Sequence, residues 1–204
     1  MEKNSKIYIA GHNGMVGSAI VRNLKTNGFN YLIYTPSDEY DLTDQQIVSD
    51  FIIKEKPDYV IDAAAKYAGY HADMTRTPVV GEATDKHYEI YNTVKGSQQA
   101  GCDAAKAGMS CKDMDSITRD YITERGYGEY YNHGTGHGLG LEIHTEPRLS
   151  QLSTQTLAVN NVVTIEPGIY LAGWGGVRIE DDVIIKEGGC EILNKTTKDL
   201  VVLN

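Results

Sequence analysis

The sequence predicts an α/β (α+β) chain in two parts, a parallel βαβαβ start leading into a curved antiparallel sheet with helices on one face. Three observations carry that expectation. The first sixty residues alternate short β-rich runs with helical periodicity. Residues 85–125 then hold two long helical stretches. From Gly126 onward the chain is rich in glycine and β-branched residues, in HGTGHGLGLEIH, NNVVTIEPGIYL and GGVRIEDDVII.

In order, residues 6–10 form a first strand and 11–17 a glycine-rich turn. Residues 18–27 form a helix stopped by Gly28, and 31–34 a second strand. A second helix over 45–54 ends before Pro57, and 58–62 is a third strand. Residues 70–77 are strand-like. A long helix over 85–107 closes at Gly108, and Ser110 starts another that runs to about Arg125. The change of character has no low-complexity linker, so the two parts, 1–66 and 61–204, share the strand near residues 60–66.

The net charge of −9 and the lack of any basic stripe argue against nucleic acid or an anionic membrane as partner. No apolar run reaches membrane-spanning length. Cys102, Cys111 and Cys190 have neither metal nor redox spacing, which reads as a reducing compartment, most simply the cytoplasm.

The chemistry lies in paired carboxylates. Counting outward from a turn at Tyr67–Ala68, Asp62 stands opposite Asp73. Counting outward from Gly173, Glu166 stands opposite Glu180. Opposed residues on neighbouring strands hold their Cβ atoms roughly 4.5–5.5 Å apart, so buried acids there repel unless a cation lies between them. A lone acid on a hairpin is usually a solvated face, but two such pairs together with His137 are not so easily dismissed. Hard oxygen donors plus one imidazole suit Mn, Co, Fe or Zn in a two-metal site. Asp181 and Asp182 read as surface or supporting acids, and His71 and His87 as surface histidines.

The segments GYHADMTRT, HGTGHGLGLEIH, TIEPGIY and GVRIEDD resemble the successive signature blocks of the pita-bread metallopeptidases. Their style is nearest the Xaa-Pro dipeptidase branch, and the likeness runs from about residue 60 to the end. The resemblance puts Asp62, Asp73, His137, Glu166 and Glu180 on five metal-ligand positions, holding two divalent ions. It puts His133 and His144 on active-site positions that are not ligands, and Arg178 on the arginine before the last glutamate. It implies hydrolysis of short peptides by a metal-bound hydroxide, with Glu166 accepting the water's proton. His133 and His144 would steady the intermediate or the leaving amine.

The run IYIAGHNGMVGSAIVRNL, followed by DEYDLTD and KPDYVIDAAAK, is similar to the start of GDP-L-fucose synthase, an extended short-chain dehydrogenase/reductase. That resemblance implies NAD(P), with Gly11, Gly14 and Gly17 along the pyrophosphate and Asp41 and Leu42 at the adenine. It ends near Lys66. Asn13 and Tyr34 stand where that family often has basic residues near a 2′-phosphate, and Tyr91 and Lys95 keep a Tyr-x-x-x-Lys spacing inside the long helix. The chain thus reads as a chimera, a truncated Rossmann-like start joined to a partial pita-bread sheet. Because an uncovered sheet edge invites association, a homo-oligomer belongs to the expectation.

Overall fold

The computed structural model describes residues 3–9, 15–34, 59–61 and 65–203, and the chain divides into two compact units between Ala65 and Lys66. In the first unit β1 (Ile7–Ile9), β2 (Leu32–Ile33) and β3 (Tyr59–Ile61) pair in parallel with β1 in the centre. Helix α1 (Met15–Thr26) leads from β1 towards β2, and the chain leaves it through Gly28 at φ +81°, a left-handed position that glycine occupies without a Cβ clash. Ile7, Ile9, Leu24 and Phe29 form its core. Gly17 lies in α1. Gly11, Gly14, Asp41, Leu42, Asp62 and the helix expected over 45–54 lie outside the described residues.

The hairpin β4 (Ala65–Tyr67) and β5 (Tyr70–Ala72) starts at the division and runs into the second unit. Its turn residues are Ala68 at φ +49° and Gly69 at φ +92°, the paired positive values of a tight hairpin turn. The turn therefore falls one residue later than counting through Asp62 and Asp73 required, because Gly69 rather than Tyr67 tolerates the second left-handed position.

After β6 (Val79–Val80) come α2 (Asp85–Ala104) and α3 (Cys111–Thr123). Both expected helices form, each ending a turn or less before its expected stop. Ser110 caps α3, its Oγ accepting from Asp113 N at 3.0 Å. His87, expected on the surface, is a half-buried cap of α2: Thr84 N–H donates to its Nδ1 at 2.9 Å. His71 is likewise half-buried, and its backbone N–H donates to the Gly140 carbonyl at 2.7 Å. Tyr91 and Lys95 both reach Asp199, at 3.3 and 2.6 Å, and serve packing on α2.

The main sheet is antiparallel, with strand order β13 (Gly189–Ile192), β12 (Asp181–Lys186), β9 (Val162–Ile165), β7 (Gly136–Gly138) and β8 (Thr145–Leu149). A second hairpin, β10 (Gly168–Leu171) with β11 (Gly175–Arg178), continues the β9 and β12 strands outward. Val202–Leu203 (β14) pairs with β6. One core cluster packs Cys102, Ala105, Cys111 and Met114 of the helical layer and its flanks against Leu149, Val163, Ile165, Val183 and Ile185 of the sheet. A second packs Ile90, Tyr91, Val94 and Ile122 against Tyr131, Ile169, Val177 and Ile179.

The glycines around β7 answer to crowding. A Cβ on Gly136 would stand 1.9 Å from the Thr164 carbonyl oxygen, and one on Gly138 would stand 2.2 Å from that of Glu146. Both obstacles are backbone, so neither can swing aside. Gly136→Ala is expected to cost about 3 kcal/mol or more, read as a lowered urea midpoint with an unchanged slope. A midpoint within error of the parent would contradict the close approach.

Candidate metal centre

Four of the five sequence-derived ligands are described, and the sheet brings all four together. Ile165 pairs with Asp181 at the end of one ladder, and Gly168 pairs with Arg178 at the start of the next. One step beyond the first ladder and two before the second, Glu166 faces Glu180, as counting from Gly173 requires. Their backbones do not bond each other at that step. Glu166 N–H donates to Thr135 O at 2.7 Å and Glu180 N–H to Thr75 O at 3.1 Å, so the two strands part where the acids sit. Pro167 has no N–H and cannot resume the ladder.

His137 comes from β7 and is almost fully buried. Its Nε2 lies 3.2 Å from Glu166 Oε1 and 3.9 Å from Asp73 Oδ2. The Thr164 hydroxyl accepts from His137 N at 3.1 Å and donates to Glu166 Oε1 at 3.1 Å, fixing the two against each other. Donor atoms of His137, Glu166 and Glu180 all lie within 4.8 Å of one another, as do those of Asp73, His137 and His144.

His144 reaches this cluster through a bulge. β7 pairs Gly136 with Leu149 and His137 with Arg148, then shifts so that Gly138 meets Thr145. Such a bulge re-aims the side chains beside it, and the rings of His144 and His137 stand edge to face, centroids 4.3 Å apart. His133 lies one layer out, its Nε2 3.0 Å from the Tyr170 hydroxyl. Arg178 Nε stands between the acids, 4.0 Å from Glu166 Oε2 and 3.9 Å from Glu180 Oε2.

The electrostatics are those of a crowded acid cluster. Burial raises the Glu180 carboxyl, and the neighbouring Glu166 and Asp73 raise it further, to about 9. Burial also works against ionised Glu166, yet the His137 hydrogen bond and the Arg178 charge hold it below the ordinary range. For His137 burial opposes protonation, but Glu166, the Gly138 carbonyl and Asp73 together raise its pKa. His144 is lowered, by burial first and then by His137. Three carboxylates and an imidazole converging at this spacing suit a borderline or hard divalent cation, which would relieve the repulsion that keeps Glu180 protonated.

Four supporting residues were not singled out in the sequence as part of the site. Tyr170 holds His133. Thr75 donates to Glu180 Oε2 at 2.5 Å. Asp115 of α3, fully buried, accepts from Thr135 N at 2.8 Å, from Gln151 Nε2 at 2.7 Å and from Arg119 Nε at 2.8 Å. Arg119 in turn donates to the carbonyls of Tyr131 and His133 at 2.8 and 2.7 Å. This pins the whole approach to β7 onto one helix.

Asp181 and Asp182 are not surface acids. Asp181 is fully buried between Arg76 at 2.7 Å and Lys198 at 2.6 Å. Asp182 receives Asp73 N at 3.0 Å while its other oxygen, Oδ1, is buried without a hydrogen-bond partner, and burial raises its carboxyl to about 7. Both lie at the start of β12, whose first three residues are buried on both faces.

A buried, paired-carboxylate and histidine cluster on a curved antiparallel sheet is the kind of site that metal-dependent hydrolases build. Residues 18–187 match the model of metallopeptidase family M24, and the chain belongs to that family. It is 48% identical over 155 residues to a Xaa-Pro dipeptidase of Pyrococcus furiosus, an alignment covering 76% of this chain and 44% of that protein. The solved Xaa-Pro dipeptidase of Bacillus anthracis is 52% identical with a TM-score of 0.67, over 68% of this chain and 39% of that one. The X-Pro aminopeptidase of Thermotoga maritima is 45% identical with a TM-score of 0.67, over 69% and 40%. The chain thus spans about two-fifths of the length of these relatives. Among the described residues, no helix is long and apolar enough to cross a membrane.

Proposed function

We propose that this chain is a divalent-metal peptidase segment acting on short peptides, Xaa-Pro dipeptides among them. The observation that supports this most is the convergence of Asp73, His137, Glu166 and Glu180 in a buried cluster. Asp62 joins them as fifth ligand on the strength of the sequence resemblance alone. Bound there, a pair of Mn, Co, Fe or Zn ions would supply a water of lowered pKa and a polarised scissile carbonyl. Glu166, held by Thr164 and faced by Arg178, takes the water's proton. His144, exposed beside His137, meets the substrate carbonyl, and His133, steadied by Tyr170, meets the leaving amine. Arg178 balances the charge of the glutamates between turnovers.

The test is metal titration of the dialysed chain, followed by hydrolysis of a Xaa-Pro dipeptide with and without Mn or Co. The reading expects saturable uptake of about two ions per chain, the usual content of a two-metal site, and hydrolysis that depends on them. A folded chain that takes up no metal would overturn it.

A second reading concerns the first unit alone. We propose that it is the start of a dinucleotide fold similar to GDP-L-fucose synthase, making the chain a chimera. The central position of β1 in a parallel sheet, with α1 opening soon after it, supports this. NADH or NADPH fluorescence should then saturate on titration, and Gly14→Asp should remove the signal by putting a carboxylate against the pyrophosphate. Binding unchanged by that substitution, or none at all, would sink the idea.

A further inference from the structure

Two of the three cysteines, Cys102 and Cys190, come together in the core although they are far apart in sequence and show no redox spacing. Cys102 lies near the end of α2, and Cys190 on β13 pairs with Ile185 of β12. Both belong to the same cluster, Cys102 within it and Cys190 packed against it. Cys190 Sγ–H donates to the Cys102 carbonyl at 3.2 Å, and Gln98 Nε2 donates to Cys102 Sγ at 3.2 Å. Cys102 is 5% exposed, whereas Cys190 is half-buried and open to a small reagent.

We propose that Cys102 and Cys190 are a disulfide-forming pair, oxidised by a low-molecular-weight disulfide such as oxidised glutathione. Cys190 attacks as thiolate, forming a mixed disulfide and releasing one glutathione thiolate. Cys102 then attacks the Cys190 sulfur and displaces the second glutathione. The two released thiolates take up the two cysteine protons, so two protein thiols become one disulfide and one glutathione disulfide becomes two thiols.

The surroundings favour that order. The closeness of the two thiols raises Cys102, which burial raises further, and lowers Cys190 against its own burial, so the more exposed partner is the more readily ionised. Lys198 lies close enough to favour both thiolates, while Asp103 disfavours the Cys190 thiolate and Asp181 disfavours both. Lys198 is itself anchored, to Gln98 Oε1 at 2.8 Å and Asp181 Oδ2 at 2.6 Å. Gln98 bonds both Cys102 and Asp181, at 3.2 and 3.0 Å, so the thiol pair is one residue removed from the acids that flank the metal centre. Cys111, fully buried at the start of α3, is the internal control.

The test is to incubate the full folded chain with oxidised glutathione, quench in acid, unfold, alkylate and map the peptides by mass. Free thiols should fall from three to one, the survivor being Cys111. A linked pair of peptides holding Cys102 and Cys190 should appear, lighter than their sum by two hydrogens. Cys102→Ser should stop at a glutathione adduct on Cys190, and Cys111→Ser should still form the link. Three free thiols after treatment would overturn the proposal. So would a Cys190 adduct that persists in the parent chain, or a link through Cys111.

Discussion

Glu180→Gln is expected to reduce divalent-metal affinity by at least about 100-fold, since even supporting residues of metal sites are worth 10–100-fold, and at the same time to stabilise the metal-free chain. The second effect follows from linkage. The buried Glu180 carboxyl is raised from 4.5 to about 9 by burial and by the facing Glu166 and Asp73. Between those values the folded state binds a proton that the unfolded state has released, so metal-free stability falls as pH rises through that window. Below it the penalty vanishes. Glutamine keeps the shape and hydrogen bonding of the protonated acid without the penalty, so the variant should gain on the order of 2 kcal/mol near neutral pH. Melts of the chelator-treated parent and variant over about pH 4 to 9, the span of the shift, should diverge towards the alkaline end. Parallel curves, or metal uptake equal to the parent's, would contradict the assignment. A residue kept at the expense of apo stability is what a functional cluster looks like.

Asp115→Ala is expected to be the most destabilising single change in the second unit, at about 3–5 kcal/mol. It removes the acceptor of the Thr135 N–H, the Gln151 amide and the Arg119 guanidinium at once. Arg119, mostly covered and stacked 4.3 Å from the Tyr131 ring centroid, would keep its charge without its counterion. Urea unfolding measures the loss. Metal affinity should also fall, because the carbonyl anchors at Tyr131 and His133 set the approach to His137. Asp115→Asn should lie between parent and alanine, keeping the Thr135 contact. Alanine and asparagine variants as stable as the parent would show that the network is dispensable.

What could be read from the sequence was local. The facing of Glu166 and Glu180 follows from antiparallel counting, because the register of a two-strand unit leaves no freedom between its ladders. The two long helices announced themselves through periodicity, Ser110 and Gly108. At the Asp73 hairpin the turn sits on Ala68 and Gly69, one residue later than counting placed it, because glycine accepts the second left-handed position. Of the two readings open for Asp181 and Asp182, the supporting one holds and the surface one does not, and charge alone could not choose because it normally marks a surface. Their partners Arg76, Gln98, Lys198 and Asn194 come from other elements of the fold. The same distance in sequence hid Asp115 from Thr135 and Cys102 from Cys190. His87 read as a surface histidine, and only the Thr84 contact shows it as a cap.

The parting of the strands at Glu166 and Glu180 has a consequence for how this hairpin can vary. The facing of the two acids is set by the ladder from Val162 to Ile165 against Asp181 to Ile184, not by the tip around Gly173. Residues inserted at the tip would lengthen the arm and leave the acids face to face. A single deletion within Val162–Ile165 would turn Glu166 to the opposite face of the sheet, away from Glu180 and His137. Drift in length is therefore affordable at one end of the hairpin and forbidden at the other, and the boundary between the two regimes falls at Pro167.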